Sequence, residues 1–221
     1  MSRPRYPAFE LYIAAAALAF FLAMWFTWLH QQTAARISVC DGHLHKIALA
    51  LKNYRDDHGH YPPAYVADPA GTPMHSWRVL ILPYLSYEDL YSRYSFSEPW
   101  DGPNNRLLGA EMPTEYSCVL DGSTTPFTTY LAVVKNGKTG GCSEIDNQLL
   151  LLELSERKVH WMSPSDVDCG EAERILSNSC LSAHSGGRGA VRCNGDVIRL
   201  RARIPDTMKE PGSPRKVRLG A

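Results

Sequence analysis

The stretch LYIAAAALAFFLAMWFTWL, Leu11–Leu29, followed by ISVCDGHLHKIALALKNY, Ile37–Tyr54, decides the fold. The first part is 19 residues without a formal charge. As a helix rising 1.5 Å per residue it spans roughly 28 Å, close to the hydrocarbon thickness of a bilayer. Tyr12 stands near one end and Trp25 and Trp28 near the other, where amphipathic rings favour the interface. In the second part Ile37, Cys40, Leu44, Ile47, Leu51 and Tyr54 recur at helical spacing, with Lys46, Lys52, Asn53 and Arg55 off the stripe. Gly59 and then Pro62-Pro63 stop the pattern. The spacing predicts one helix from about residue 9 to 58, its first half suited to lipid and its second to packing on a domain.

Arg3 and Arg5 precede the apolar run, and only Arg36 follows it closely. The positive-inside bias puts residues 1–10 in the cytoplasm, a transmembrane helix over 11–29, and a domain over 30–205 outside. A cleaved signal peptide is a weaker fit, because its apolar core is shorter and Thr33-Ala34-Ala35 is only a fair small-x-small site. A buried soluble helix would rarely be apolar all round for five turns. Net charge is zero, which gives no reason to expect nucleic acid as a partner. Residues 206–221 are basic, carry Pro211, Gly212 and Pro214, and read as a disordered tail. Contact of that tail with anionic lipid or an acidic envelope polymer is the alternative.

Downstream of the helix, Tyr61–Pro113 is rich in Pro, Trp and Tyr. It holds a short helix over Trp77–Leu85, interrupted by Pro83, then another over Tyr87–Tyr94, and a loop at Gly102–Asn105. Short apolar runs at Thr129–Val134, Gln148–Leu154 and Val159–Met162 read as strands. Ala190–Cys193 and Asp196–Leu200 flank Asn194-Gly195, a signal for a hairpin with a type I′ turn. A long helix, an irregular region and an antiparallel sheet make an α+β plan. Cys40, Cys118, Cys142, Cys169, Cys180 and Cys193 form no C-x-x-C pair, so they are candidate disulfide cysteines of an oxidising compartment, of undetermined connectivity.

For chemistry, Asp56-Asp57-His58-Gly59-His60 is the densest cluster, but at a helix end such groups are usually solvated. His43 and His45 face different sides of a helix. No G-x-S-x-G elbow, cysteine-protease context or phosphate-binding loop occurs. Asp166, Asp168 and Glu171 could offer oxygens to calcium, although the spacing lacks the D-x-D-x-D-G form. Trp77, Trp100 and Trp161 read as packing residues ahead of a sugar platform. No catalytic, metal-binding or cofactor-binding residue is assigned.

Several blocks carry a resemblance: Cys40 with Leu44–Ala50 and Asn53-Tyr54, then His58-Gly59, Tyr61–Ala64, His75–Leu85, Glu98–Asn105, Tyr116–Cys118 and His160–Met162. They resemble a large planctomycete family of prepilin-like proteins of unknown function, with a C-terminal His-x9-Asp-Gly signature. The resemblance covers about residues 40 to 201 and implies a pseudopilin-like fold, similar to the type II secretion G pseudopilin. Here His184 is followed after nine residues by Asn194-Gly195. Asn keeps a turn but not a general base, so His184, Asn194 and Gly195 read as a folding device. In prepilins a glycine precedes the mature Phe and a glutamate is its fifth residue. Ala8-Phe9-Glu10 has neither feature, which predicts an uncleaved anchor that does not assemble into a fibre. The expected function is a membrane-anchored, non-enzymatic, pseudopilin-like cell-envelope protein acting through protein contacts, without cofactor. The alternative is an extracytoplasmic ligand- or polysaccharide-binding domain.

Overall fold

The structure, a computed structural model, describes residues 7–119, 125–139, 149–178 and 187–200. Helix α1 runs unbroken from Pro7 to His58, about 78 Å at 1.5 Å per residue. It ends at Gly59, whose φ of 78° and N–H bond to the Arg55 carbonyl (2.8 Å) form the left-handed cap that glycine adopts without a Cβ penalty.

Three lengths of α1 differ in what covers them. From Leu11 to Leu29 every side chain is exposed, and the segment is long and apolar enough to cross a membrane. Residues 30–39 are exposed as well, apart from half-buried Ile37. From Cys40 onward the apolar stripe turns inward. Cys40, Leu44, Ile47, Leu51 and Tyr54 are buried, and Ala48 and Ala50 widen the face.

The chain then forms an antiparallel hairpin of β1 (Tyr65–Ala67) and β2 (Pro73–Ser76). Helix α2 (Trp77–Leu80), a 3-10 turn over Leu82–Leu85 and helix α3 (Glu88–Arg93) follow, so Pro83 breaks the helix as its missing N–H requires. Ser76 caps α2 by accepting the Arg78 N–H. After two more 3-10 turns come β3 (Phe127–Thr128), β4 (Tyr130–Lys135), β5 (Lys138–Thr139), β6 (Leu149–Glu153), β7 (Val159–His160) and β8 (Val167–Asp168). Helix α4 (Cys169–Asn178), β9 (Arg188–Arg192) and β10 (Val197–Leu200) complete the described chain.

The main sheet has the order β10-β9-β6-β4-β5, all antiparallel, with β8 added to β4 in parallel. This is the α+β plan, with a helix on both faces of the sheet. Tyr130 and Ala132 of β4 pack toward α1, whereas Leu131 and Val133 pack with Ala172, Ile175 and Leu176 of α4. In β6, Leu149 and Leu152 join the α4 side and Leu150 and Leu151 the α1 side. A register shift against β9 between Leu149 and Leu151 absorbs the extra residue.

At Gly189 of β9 a Cβ would lie 2.4 Å from Leu44 Cδ1 of α1 and 2.8 Å from Glu153 Oε2. All three residues are buried. Gly189→Ala is therefore expected to cost about 1–3 kcal/mol by overpacking. The measurement is the thermal midpoint by circular dichroism, and an unchanged midpoint would mean that α1 does not seat on β9.

Candidate functional site

Two features at opposite ends of the packed half of α1 are built from several elements at once. The first is a clasp. Cys40, His43 and Lys46, three residues apart on one face, each meet the segment Glu115–Cys118. The Cys40 and Cys118 sulfurs are 3.0 Å apart and fully buried. His43 Nδ1 lies 2.8 Å from the Ser117 carbonyl, and Lys46 Nζ donates to Glu115 Oε1 at 2.9 Å. Tyr87 donates its hydroxyl to the other Glu115 oxygen. Burial alone would raise the Glu115 pKa, but the bonds from Lys46, the backbone and Tyr87 prevail and hold it below the ordinary glutamate value. A lowered folded pKa gives stability that is present above about pH 4.5 and is lost as pH falls through the folded value. The thermal midpoints of wild type and Glu115→Gln are thus expected to differ near neutrality and to converge in acid. A gap that stays constant to low pH would contradict this.

The clasp is backed by a polar chain to the sheet. Arg199 of β10 pairs with Asp41 of α1 and Glu153 of β6, and Glu153 Oε2 accepts the Gly189 N–H at 3.0 Å.

The second feature is a cleft of about 650 Å³ at the C-terminal end of α1, lined mainly by Arg55, His60, Tyr61, Pro63, Lys138 and Thr139. Its walls are tied by the bridge of Pro63 to Lys138 and by Thr139 Oγ1 donating to the Pro62 carbonyl (2.7 Å). The Arg55 guanidinium lies 5.0 Å over the Tyr61 ring and donates to the Tyr61 hydroxyl. That hydroxyl in turn donates to the Cys193 carbonyl at 2.7 Å. Burial pushes the Tyr61 phenol up and also the Cys193 thiol, Arg55 opposing in both cases.

Other candidate residues separate. Asp166, Asp168 and Glu171 do not converge on one point, and each carboxylate has its own protein partner. Asp166 Oδ1 accepts from Arg78 Nη2, Trp77 Nε1 and the Ala132 N–H. Asp168 caps α4 by accepting the Glu171 N–H at 2.8 Å, and Glu171 pairs with Arg157. Among the described residues no group of three or more His, Cys, Asp or Glu side chains could hold a metal ion. Asp56 pairs with Lys52, Asp57 accepts the Tyr84 hydroxyl, and His58 stacks on Tyr54 at 4.0 Å, so that acid–histidine cluster also disperses. Trp77 and Trp161 are fully buried, and Trp161 donates to the Gly109 carbonyl. Trp100 is half-buried beside His160.

The disulfide expectation finds no pair of described cysteines at bonding distance. Cys40 and Cys118 are in contact, about 1 Å beyond the S–S bond length. Cys193 lies by the cleft, and Cys169, which opens α4, is disulfide-bonded as expected. Cys142, Cys180 and His184 lie outside the described residues.

The expected type I′ turn at Asn194-Gly195 is also corrected. Arg192 and Asp196 close a three-residue loop, Cys193–Gly195, in which only Gly195 has positive φ (94°). Asn194 Oδ1 accepts the Asp196 N–H at 3.0 Å, an acceptor role that Asp would fill equally well. The turn with two positive φ values is Asn136-Gly137 (52° and 73°), which joins β4 to β5 and carries Lys138 to the cleft.

The cleft has one local signal in the sequence, the Gly59–Pro63 break after α1. No curated protein and no solved structure matches the chain. A family model described as a protein of unknown function, DUF1559, matches residues 31–167. That match runs from the exposed neck of α1 through the clasp to β8, and the chain belongs to this family.

Proposed function

We propose that the protein is a single-pass, membrane-anchored domain of the cell envelope that acts through protein contacts and not as an enzyme. In this reading residues 1–10 face the cytoplasm, 11–29 cross the bilayer, and 30–205 lie outside. The observation that carries it is the three-part covering of one unbroken helix: an uncovered apolar length, an exposed neck and a buried face. Residues 30–39 then lift the domain about 15 Å from the membrane surface. A helix half in lipid, packed on an antiparallel sheet, favours the pseudopilin likeness. Ala8-Phe9-Glu10 favours an uncleaved member that forms no fibre.

The non-enzymatic reading is supported by how the titratable groups are used. His43, His45, His58 and His60 each place Nδ1 against a backbone carbonyl, and His75 meets Tyr94. The four bonds to backbone carbonyls join no histidine to a nucleophile as acyl-transfer chemistry requires. The test is affinity purification of the tagged full-length protein from membranes after amine-reactive cross-linking. A discrete heteromeric species supports the proposal. A protein recovered only as a monomer would sink it.

A second reading, ligand binding, has the cleft in its favour, since Arg55 and Lys138 bring two cations to its lining and Arg55 lies over the Tyr61 ring. That chemistry suits an acidic saccharide. Calorimetric titration with a uronate oligosaccharide should give binding that Arg55→Ala abolishes, and no heat with the wild type would remove this reading.

A further inference from the structure

We infer that Cys40 and Cys118 are the two ends of a disulfide that locks the long helix to the domain when the protein folds under oxidising conditions. Three observations converge. The two sulfurs are 3.0 Å apart, inside the contact distance of two sulfur atoms and about 1 Å from a bond. Both residues are fully buried, so water and small reductants do not reach the pair in the folded state. Two further contacts of the same face, His43 with Ser117 and Lys46 with Glu115, fix helix and segment so that the sulfurs need only a small shift to bond. This assigns one of the many pairings that six cysteines allow.

The chemistry is thiol–disulfide exchange with a disulfide-bearing oxidant. The thiolate of one cysteine attacks the oxidant's disulfide, forming a mixed disulfide and releasing one thiolate. The second cysteine's thiolate attacks the protein sulfur of that mixed disulfide, closing Cys40–Cys118 and releasing the other half of the oxidant as thiolate. Two electrons pass to the oxidant, and the two protons lost by the cysteines pass to the released thiolates. Because the closed pair is buried, exchange takes place before the clasp shuts, during folding. The bond closes a loop of 78 residues' separation, so its main effect is on the unfolded chain. It also makes the exposed upper helix and the domain one covalently braced body.

In cells, the inference rests on the domain lying outside the cytoplasm, and the test separates the two. Full-length protein is unfolded in reductant, refolded in detergent with a glutathione redox mixture, alkylated and digested without reduction. A linked peptide pair containing Cys40 and Cys118 is expected, lost on reduction. The oxidised protein should melt about 10 °C above the reduced one. Cys118→Ser should show no such shift attributable to this pair. Alkylation of both cysteines, or linkage of either to another cysteine, overturns the inference. The map is read on the wild type, so the outcome stands even if the variant folds poorly. A pair that links in the refolded protein but is alkylated in protein taken directly from cells would support the inference and count against the extracytoplasmic placement.

Discussion

Replacing Arg78 with alanine is expected to destabilise the domain by about 3–5 kcal/mol, because it strands a buried carboxylate. Arg78 and Asp166 are almost wholly shielded from solvent, and their ion pair spans 2.8 Å. The guanidinium also donates twice to the Tyr130 carbonyl and once to the Ser76 hydroxyl. One side chain thus holds α2, β4 and the loop before β8 together. Its loss leaves the Tyr130 carbonyl without those two bonds and Asp166 without a counter-charge. Burial already pushes the Asp166 pKa up against the pull of Arg78. Removing the cation should push it further and force the carboxyl toward its neutral form. Urea unfolding of the detergent-solubilised protein checks the magnitude. A loss below about 1 kcal/mol would mean that water enters the site and that the hub is looser than the geometry indicates. The double change Arg78→Met with Asp166→Leu should recover part of the loss, because it removes both charges together.

The second large effect concerns the exposed length of α1. Changing Leu18 and Phe21 together to arginine is expected to move the protein from the membrane to the soluble or aggregated fraction. Both stand near the middle of the apolar run and are 61% and 69% exposed. Each arginine at the centre of a spanning helix costs about 2.5–3.5 kcal/mol on an insertion scale. The pair therefore removes more than a run of alanines and phenylalanines can offset. The domain is some 20 residues away on the helix and should keep its fold, which far-UV circular dichroism of the released protein would show. Retention of the variant in carbonate-washed membranes would contradict the anchor.

What could be read from the sequence follows from range. The helix and its buried stripe were legible because Cys40, Leu44, Ile47, Leu51 and Tyr54 carry a local period that the fold leaves intact. Ile37 belongs to the same period yet is only half-buried, because period does not say where the domain begins. Helix α4 was missed, although Asp168 and Glu171 have the spacing of a helix-start signal. Its apolar face is only Ala172, Ile175 and Leu176, and the carboxylates invited a metal reading. Asn-Gly occurs twice in the chain, and the tighter turn formed at Asn136-Gly137, not at Asn194-Gly195. The difference is that Cys193 adds a residue to the second loop while the Asn194 side chain takes the Asp196 N–H. The cleft was not legible, since Arg55, Lys138 and the Cys193 carbonyl meet only through long-range strand pairing. The Ser76-Trp77-Arg78 block was noticed as a resemblance, and its physical reason is the buried link to Asp166.

Protease protection of spheroplasts carrying the full-length protein with an epitope tag at each end tests the central claim most directly. Protease added outside should remove the C-terminal tag and leave the N-terminal tag on a membrane-bound fragment that includes Leu11–Leu29. Protection of both tags in intact spheroplasts, with loss of both only after lysis, would put the domain inside the cell and contradict the account.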